Sequence, residues 1–173
     1  WPNHPLHMLE PGKFNSPHAM AADADGNLYV VEWIVGGRII KLADVVSPWT
    51  VGRYKTQTEI VRHEERLMKP DLAWCRTNKL DYLPVVFPGF SWHNMKPEAP
   101  LDQIPRLKGE FLWSQFVAAR NAGASMIYVA MFDEVDEGTA IYKVANDVPV
   151  GKHFVTYEGL PSDWYLRLTG AAS

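Results

Sequence analysis

The chain has one cysteine, no long apolar run and no large excess of either charge. Each shortage excludes something. With Cys75 alone, no disulfide can close within the chain, and its redox compartment stays open. No stretch reaches the roughly 20 apolar residues of a membrane-spanning helix, and the first residues lack the basic-then-apolar layout of a secretion signal. A soluble protein with no membrane partner is expected. Lys and Arg number 17 against 20 Asp and Glu, for a net charge of −3, so nucleic acid is not an expected partner. Neither a Gly-rich phosphate loop nor a Gly-x-Ser-x-Gly elbow occurs.

At 173 residues the chain can form one buried core. Its seven Trp, seven Tyr and seven Phe suit sugar stacking, although core filling is the commoner use of such side chains. The informative stretch is 126–138, Met-Ile-Tyr-Val-Ala-Met-Phe-Asp-Glu-Val-Asp-Glu-Gly. Its apolar run at 126–132 predicts a strand buried on both faces of a parallel sheet. Asp133, Glu134, Asp136 and Glu137 follow directly, where α/β enzymes place catalytic groups. A solvated acidic turn is the plainer reading of the same residues.

Residues 1–42 differ from the rest. Asp23-Ala-Asp-Gly-Asn27 is a turn signal, residues 28–34 read as a strand, and 38–42 as a returning strand across Gly36-Gly37. From Ala43 on, short apolar runs alternate with helical stretches, the rhythm of βα units. A strand is expected at 44–47, then a helix opened by the capping box Thr56-Gln-Thr-Glu59 and kinked or split at Pro70. A buried strand at 82–87 leads into the loop Pro88-Gly-Phe-Ser-Trp-His-Asn94. An irregular connection at 95–109 precedes a helix at 110–121 with Gly123 as its C-cap. A weak strand at 153–156 and a short helix at 163–168 capped by Ser162 end the chain.

Two resemblances bear on this layout. Pro11-Gly-Lys-Phe14, Ser16-Pro-His18, the segment 23–33 and Gly37-Arg-Ile-Ile-Lys-Leu42 resemble one blade of an NHL-type β-propeller. A single blade cannot bury its own apolar face, so no whole propeller is expected. In propeller lyases the His of a Pro-His blade motif can ligate metal, which brings Pro17-His18, with His4 and His7 nearby, to notice. Free histidines in an arm are the simpler account.

The second resemblance covers residues 43–173. Val45-Val-Ser-Pro-Trp-Thr-Val-Gly-Arg-Tyr54, Tyr82-Leu-Pro-Val-Val-Phe-Pro-Gly-Phe-Ser-Trp-His-Asn94, the segment 128–139 and Leu160-Pro-Ser-Asp-Trp-Tyr-Leu-Arg-Leu168 look like the C-terminal half of the glycoside hydrolase family 71/99-like domains. Those domains are (β/α)8 barrels related to endo-acting α-mannosidases. The resemblance implies an α/β half-barrel of about four βα units at 43–173, with 1–42 as an N-terminal β-hairpin arm. It makes the chain look like a join of two unrelated sequences. The family's Glu-x-x-Glu pair maps onto Glu134 and Glu137, with Val135-Asp136 standing where the mannosidases have Trp-His. By resemblance, Glu134 is a base acting on the sugar's own 2-hydroxyl, and Glu137 is the acid/base.

Trp49, Arg53, Tyr54, Trp92, His93 and Asn94 follow strands on the same rim and are candidates to bind a sugar or other small substrate. No cofactor is required on that reading. The alternative is a metal-dependent hydrolase of phosphate or other esters, with Asp133, Asp136 and His93 holding Zn²⁺, Mn²⁺ or Mg²⁺. A third reading is a non-catalytic fragment or binding module. Because an open half-barrel leaves strand edges and an apolar face uncovered, a homodimer or higher homo-oligomer is expected.

Overall fold

The structure, a computed structural model, describes residues 17–22, 28–32, 44–148 and 153–173. In the N-terminal part, β1 (Pro17–Ala22) pairs antiparallel with β2 (Leu28–Glu32), joined across the turn signal at 23–27. The first strand of the expected hairpin is therefore paired with the segment before it. The expected return strand at 38–42 lies outside the described residues, as do His4, His7 and the side chain of His18.

Two short parallel pairings carry the rest. β3 (Val45–Val46) pairs with β4 (Asp81–Tyr82), and β5 (Val85–Val86) pairs with β6 (Tyr128–Val129). β4 and β5 lie on one run of chain, so the strand expected at 82–87 is present but divided. Pro84, between the two pieces, has no N–H to give to a neighbouring strand. Its carbonyl still accepts from Tyr128 at 3.0 Å, and Leu83 donates to Val46 at 2.8 Å, which keeps the three paths adjacent.

β6 departs from expectation. Met126 and Tyr128 are exposed, and Phe132 is 56% exposed, so the run is not buried on both faces. It pairs on one side only among the described residues. Three parallel paths, against the four units expected, are present there, and 153–156 forms no strand.

The helices obey local chemistry closely. α1 (Gln57–His63) starts at Thr56, whose hydroxyl accepts from the Glu59 N–H while the Glu59 carboxylate accepts from the Thr56 N–H. At Pro70 the helical dihedrals continue, but the regular α-helix is interrupted just before it. A π-helical turn (Glu64–Met68) leads straight into α2 (Lys69–Thr77), with right-handed helical dihedrals at both junctions. The Lys69 N–H reaches back five residues to Glu64, and this widened turn accommodates a ring that would crowd an ordinary one. α3 (Glu110–Ala122) ends at Gly123, at φ +88°, as its C-cap role requires. α4 (Trp164–Ala171) has Asp163, not Ser162, at its N-cap, and makes no side-chain cap bond. No helix among the described residues is long and apolar enough to cross a membrane.

α3 is tied to the strand layer by one polar side chain. Gln115, fully buried, donates from Nε2 to the carbonyls of Phe87 and Phe111 at 2.8 and 3.0 Å. Its Oε1 accepts from the Phe87 N–H at 3.1 Å and from the Tyr54 hydroxyl at 3.0 Å. Around it Tyr54, Ile60, Val85, Phe87, Phe90 and Phe111 form a core, with Phe87 edge-on to Phe111. Cys75 is buried in a neighbouring cluster with Met68, Leu72 and Tyr82. Replacing the amide by a hydrocarbon of similar size leaves the Phe87 backbone and the Tyr54 hydroxyl buried without partners. Gln115→Leu is therefore expected to lower stability by about 3 kcal/mol in urea unfolding.

Candidate active site

The acidic loop begins with strain. Met131, the second residue after β6, sits at φ +65°, a left-handed conformation that side chains other than glycine rarely adopt. From there the chain folds back on itself. The Phe132 carbonyl accepts from the Ile141 and Tyr142 N–H groups, each at 3.0 Å. The Glu134 carbonyl accepts from the Thr139 and Ala140 N–H groups at 3.1 and 3.0 Å and from the Thr139 hydroxyl at 3.2 Å. Gly138, at φ +66°, donates to Val135 at 3.1 Å and closes the tip. A Cβ on Gly138 would stand 3.0 Å from Val155, so the loop packs there only because the side chain is missing.

Other segments pin this loop in place. The Ser91 N–H donates to the Glu137 carbonyl at 2.7 Å, and the Asn94 amide to the Asp136 carbonyl at 2.9 Å. The loop after β5 thus holds the loop after β6 by two backbone carbonyls. Behind them Arg106, 1% exposed, donates from Nη2 to the Ala140 carbonyl at 2.8 Å.

The arrangement sets Glu134 and Glu137 side by side. Glu134 is exposed and Glu137 half-buried. Burial is the main force raising the Glu137 carboxyl to about 7, and the charge of Glu134, a hydrogen bond between the two side chains and the charge of Asp136 add to it. One carboxyl of the pair therefore keeps its proton far above the ordinary carboxylate range. This is the division of labour that acid–base chemistry on an acetal needs.

The other candidates fare differently. Trp49 is half-buried against the core that holds Phe87, and the exposed Arg53 donates from Nε to the Trp49 carbonyl at 2.8 Å. Tyr54 is a correction: it is not on the rim but 5% exposed in the core, its ring on Phe87 and Phe111 and its hydroxyl given to Gln115. Burial pushes that hydroxyl up to about 12, so it keeps the proton it gives to Gln115. Trp92 is 38% exposed, edge-on to Phe90, with Lys96 Nζ 5.1 Å from its ring centroid. Asn94 uses its amide nitrogen to hold the acidic loop.

Both ring nitrogens of His93 have partners outside the acidic loop. Its Nδ1 lies 2.7 Å from the Ala99 carbonyl and its Nε2 3.2 Å from His153 Nδ1, with the two rings stacked. Among the described residues no group of three or more His, Cys, Asp or Glu side chains is arranged to hold a metal ion. The expected set of Asp133, Asp136 and His93 is not assembled, because both ring nitrogens of His93 are engaged elsewhere.

Sequence reading missed Ser91, Arg106 and Tyr157, which position the loop, and Tyr142, whose ring lies 5.8 Å from the exposed Phe132. Arg106 carried no signal that set it apart: it is one of three cations, with Lys96 and Lys108, in the Pro-rich connection at 95–109.

The raised carboxyl has a consequence for stability. Below pH of about 4.5 Glu137 is protonated folded or unfolded and contributes nothing. As pH rises toward 7 only the folded chain keeps the proton, and above 7 the folded state carries the full penalty of ionising it. A shift of this size is worth ~3 kcal/mol, and solvent access to the group reduces it to about 1 kcal/mol. Glu137→Gln should therefore melt higher than the parent at pH 8 and no differently at pH 4.

No protein-family model matches the chain. Part of it is similar to the glycoprotein endo-alpha-1,2-mannosidase-like protein of Danio rerio, at 27% identity over 97 residues, 56% of this chain and 22% of that protein. The Mus musculus protein of the same description is 27% identical over 96 residues, 56% of this chain and 21% of its own length. Among solved structures, the GH99 endo-alpha-mannosidase from Bacteroides thetaiotaomicron matches with a TM-score of 0.57 at 24% identity, over 65% of this chain and 35% of that one. A second structure of that enzyme gives the same TM-score over 33% of its length. The chain spans about a fifth of the curated relatives it matches and about a third of these solved structures. Its likeness to endo-alpha-mannosidase-like proteins is thus one of partial sequence similarity and of shared fold.

Proposed function

We propose that the chain carries the acid–base end of a glycoside hydrolase site, with carbohydrate as the substrate class. Glu137 is the acid/base and Glu134 the base directed at the sugar. The observation that carries this reading is the pairing of two glutamates on the loop after β6, one of them holding its proton to about 7. The likeness to endo-alpha-mannosidase-like proteins supports it. Trp49, Arg53, Trp92 and His93 are proposed to frame the sugar, and Asp133 the rim. The metal-dependent alternative has no observation in its favour, since no ligand set is assembled among the described residues.

Glu137 must be protonated to donate to the leaving oxygen. The rate of hydrolysis of aryl α-glycosides should therefore fall as pH rises through about 7. Glu137→Gln should lower it at least ~100-fold, and chelation should leave it unchanged. A rate that rises through pH 7, or that survives Glu137→Gln, would count against the assignment.

The finer architecture is proposed on the same footing: residues 43–173 form a half-barrel and residues 1–42 an arm. The exposed Met126, Tyr128 and Phe132 beside the unpaired edge of β6 support a homodimer or higher oligomer. Light scattering of the full chain at micromolar concentration should give at least twice the mass of one chain; a monomer would dismiss the idea.

A further inference from the structure

Arg106 is expensive to keep. Its guanidinium is buried, and Nε and Nη1 find no hydrogen-bond partner among the described residues. It lies over two rings, 5.0 Å from the centroid of Tyr157 and 4.7 Å from that of Tyr165. A hydrocarbon side chain would fill the same space without the desolvation penalty. Its remaining nitrogen, Nη2, makes the 2.8 Å hydrogen bond to the Ala140 carbonyl, at the closing end of the acidic loop. The Tyr157 hydroxyl lies 3.1 Å from the same carbonyl and also contacts the carbonyl of Tyr142. Its proton goes to one or is shared between both.

Arg106 also touches the other wall. A Cβ on Gly89 would stand 2.7 Å from Arg106 Cγ and 2.8 Å from the Ile104 carbonyl, so the loop after β5 passes the arginine only as glycine. One side chain therefore meets the loop after β5 and the acidic loop, and lies on the tyrosines that support them.

We propose that Arg106 and Tyr157 are positioning residues that clamp the acidic loop at Ala140 and so hold Glu137 against Glu134 for catalysis. This rests on the glycosidase reading of that pair. The groups facing the clamp are Tyr165, Tyr142 and Asp102, and those facing Glu137 are Glu134 and Asp136.

The test uses the full chain and three variants. Tyr157→Phe removes one oxygen and keeps the ring under the guanidinium. Arg106→Met removes charge and donors, and Arg106→Lys restores a cation with a single donor nitrogen. Amide hydrogen exchange at Thr139, Ala140 and Ile141 is compared with exchange in α3, alongside kcat and KM on the aryl α-glycoside. The clamp predicts exchange at least ten-fold faster in the loop with α3 unchanged for Tyr157→Phe and Arg106→Met. It predicts kcat lowered at least ten-fold at unchanged KM, and partial rescue by Arg106→Lys. Loop exchange equal to the parent's, or a loosened loop with kcat intact, would overturn it. A parent chain without glycosidase activity counts against the proposed function alone, and the exchange comparison then decides the clamp.

Discussion

The hydrogen bonds of one buried amide connect every layer that matters to the site. Gln115 reaches from α3 to both backbone groups of Phe87 and accepts from Tyr54 on the segment after β3. Phe87 is the last residue before the loop 88–94, so the amide fixes where that loop departs. Ser91 and Asn94 in turn fix the carbonyls of Glu137 and Asp136. The position of an acidic side chain is thus set, through backbone bonds, by a neutral side chain on a helix behind the sheet. Such a chain of fully engaged polar groups has few alternative arrangements, because each slip strands a buried donor or acceptor.

Rigidity of this kind is needed because the site itself is unfavourable. Burial, and then the neighbouring carboxylates, raise the affinity of Glu137 for a proton, Met131 is held in a left-handed conformation, and Arg106 sits in the interior with two nitrogens lacking hydrogen bonds among the described residues. None of the three favours folding. Two of the three lie in the loop after β6 and the third in the segment that backs it; elsewhere Lys79, Asp102, Leu107, Lys108 and Glu158 also take positive φ, and buried polar atoms of His63, Tyr82 and Thr169 also lack partners among the described residues.

How much was legible in the sequence depends on the range of the forces involved. The Thr56–Glu59 box and the Gly123 cap act within a few residues and were readable, as were the strands around Val45 and Val85. The run at 126–132 was misread because hydrophobicity reports what a residue can bury, not whether a neighbour is there to bury it. Tyr54 was misplaced for a similar reason: its partner, Gln115, is 61 residues away. Pro70 signalled an irregularity in the helix, but the sequence does not show that it takes the form of a widened turn at Glu64–Met68. The spacing of Glu134 and Glu137 was visible, but the raised affinity of Glu137 for a proton depends mainly on burial by loops that sequence alone does not bring together.

Among the described residues β6 pairs on one side only, and this bears on how the acidic loop is held. A parallel strand with one partner gains little from its ladder, so little of the order in the 131–142 loop can come from the sheet. It comes from bonds the loop makes to itself, to residues 88–94 and to Arg106 and Tyr157. These partners all belong to this chain, and none requires a strand beyond β6. Among the described residues the 131–142 loop is therefore ordered by this chain's own bonds, although the chain spans only about a third of the solved structures it resembles.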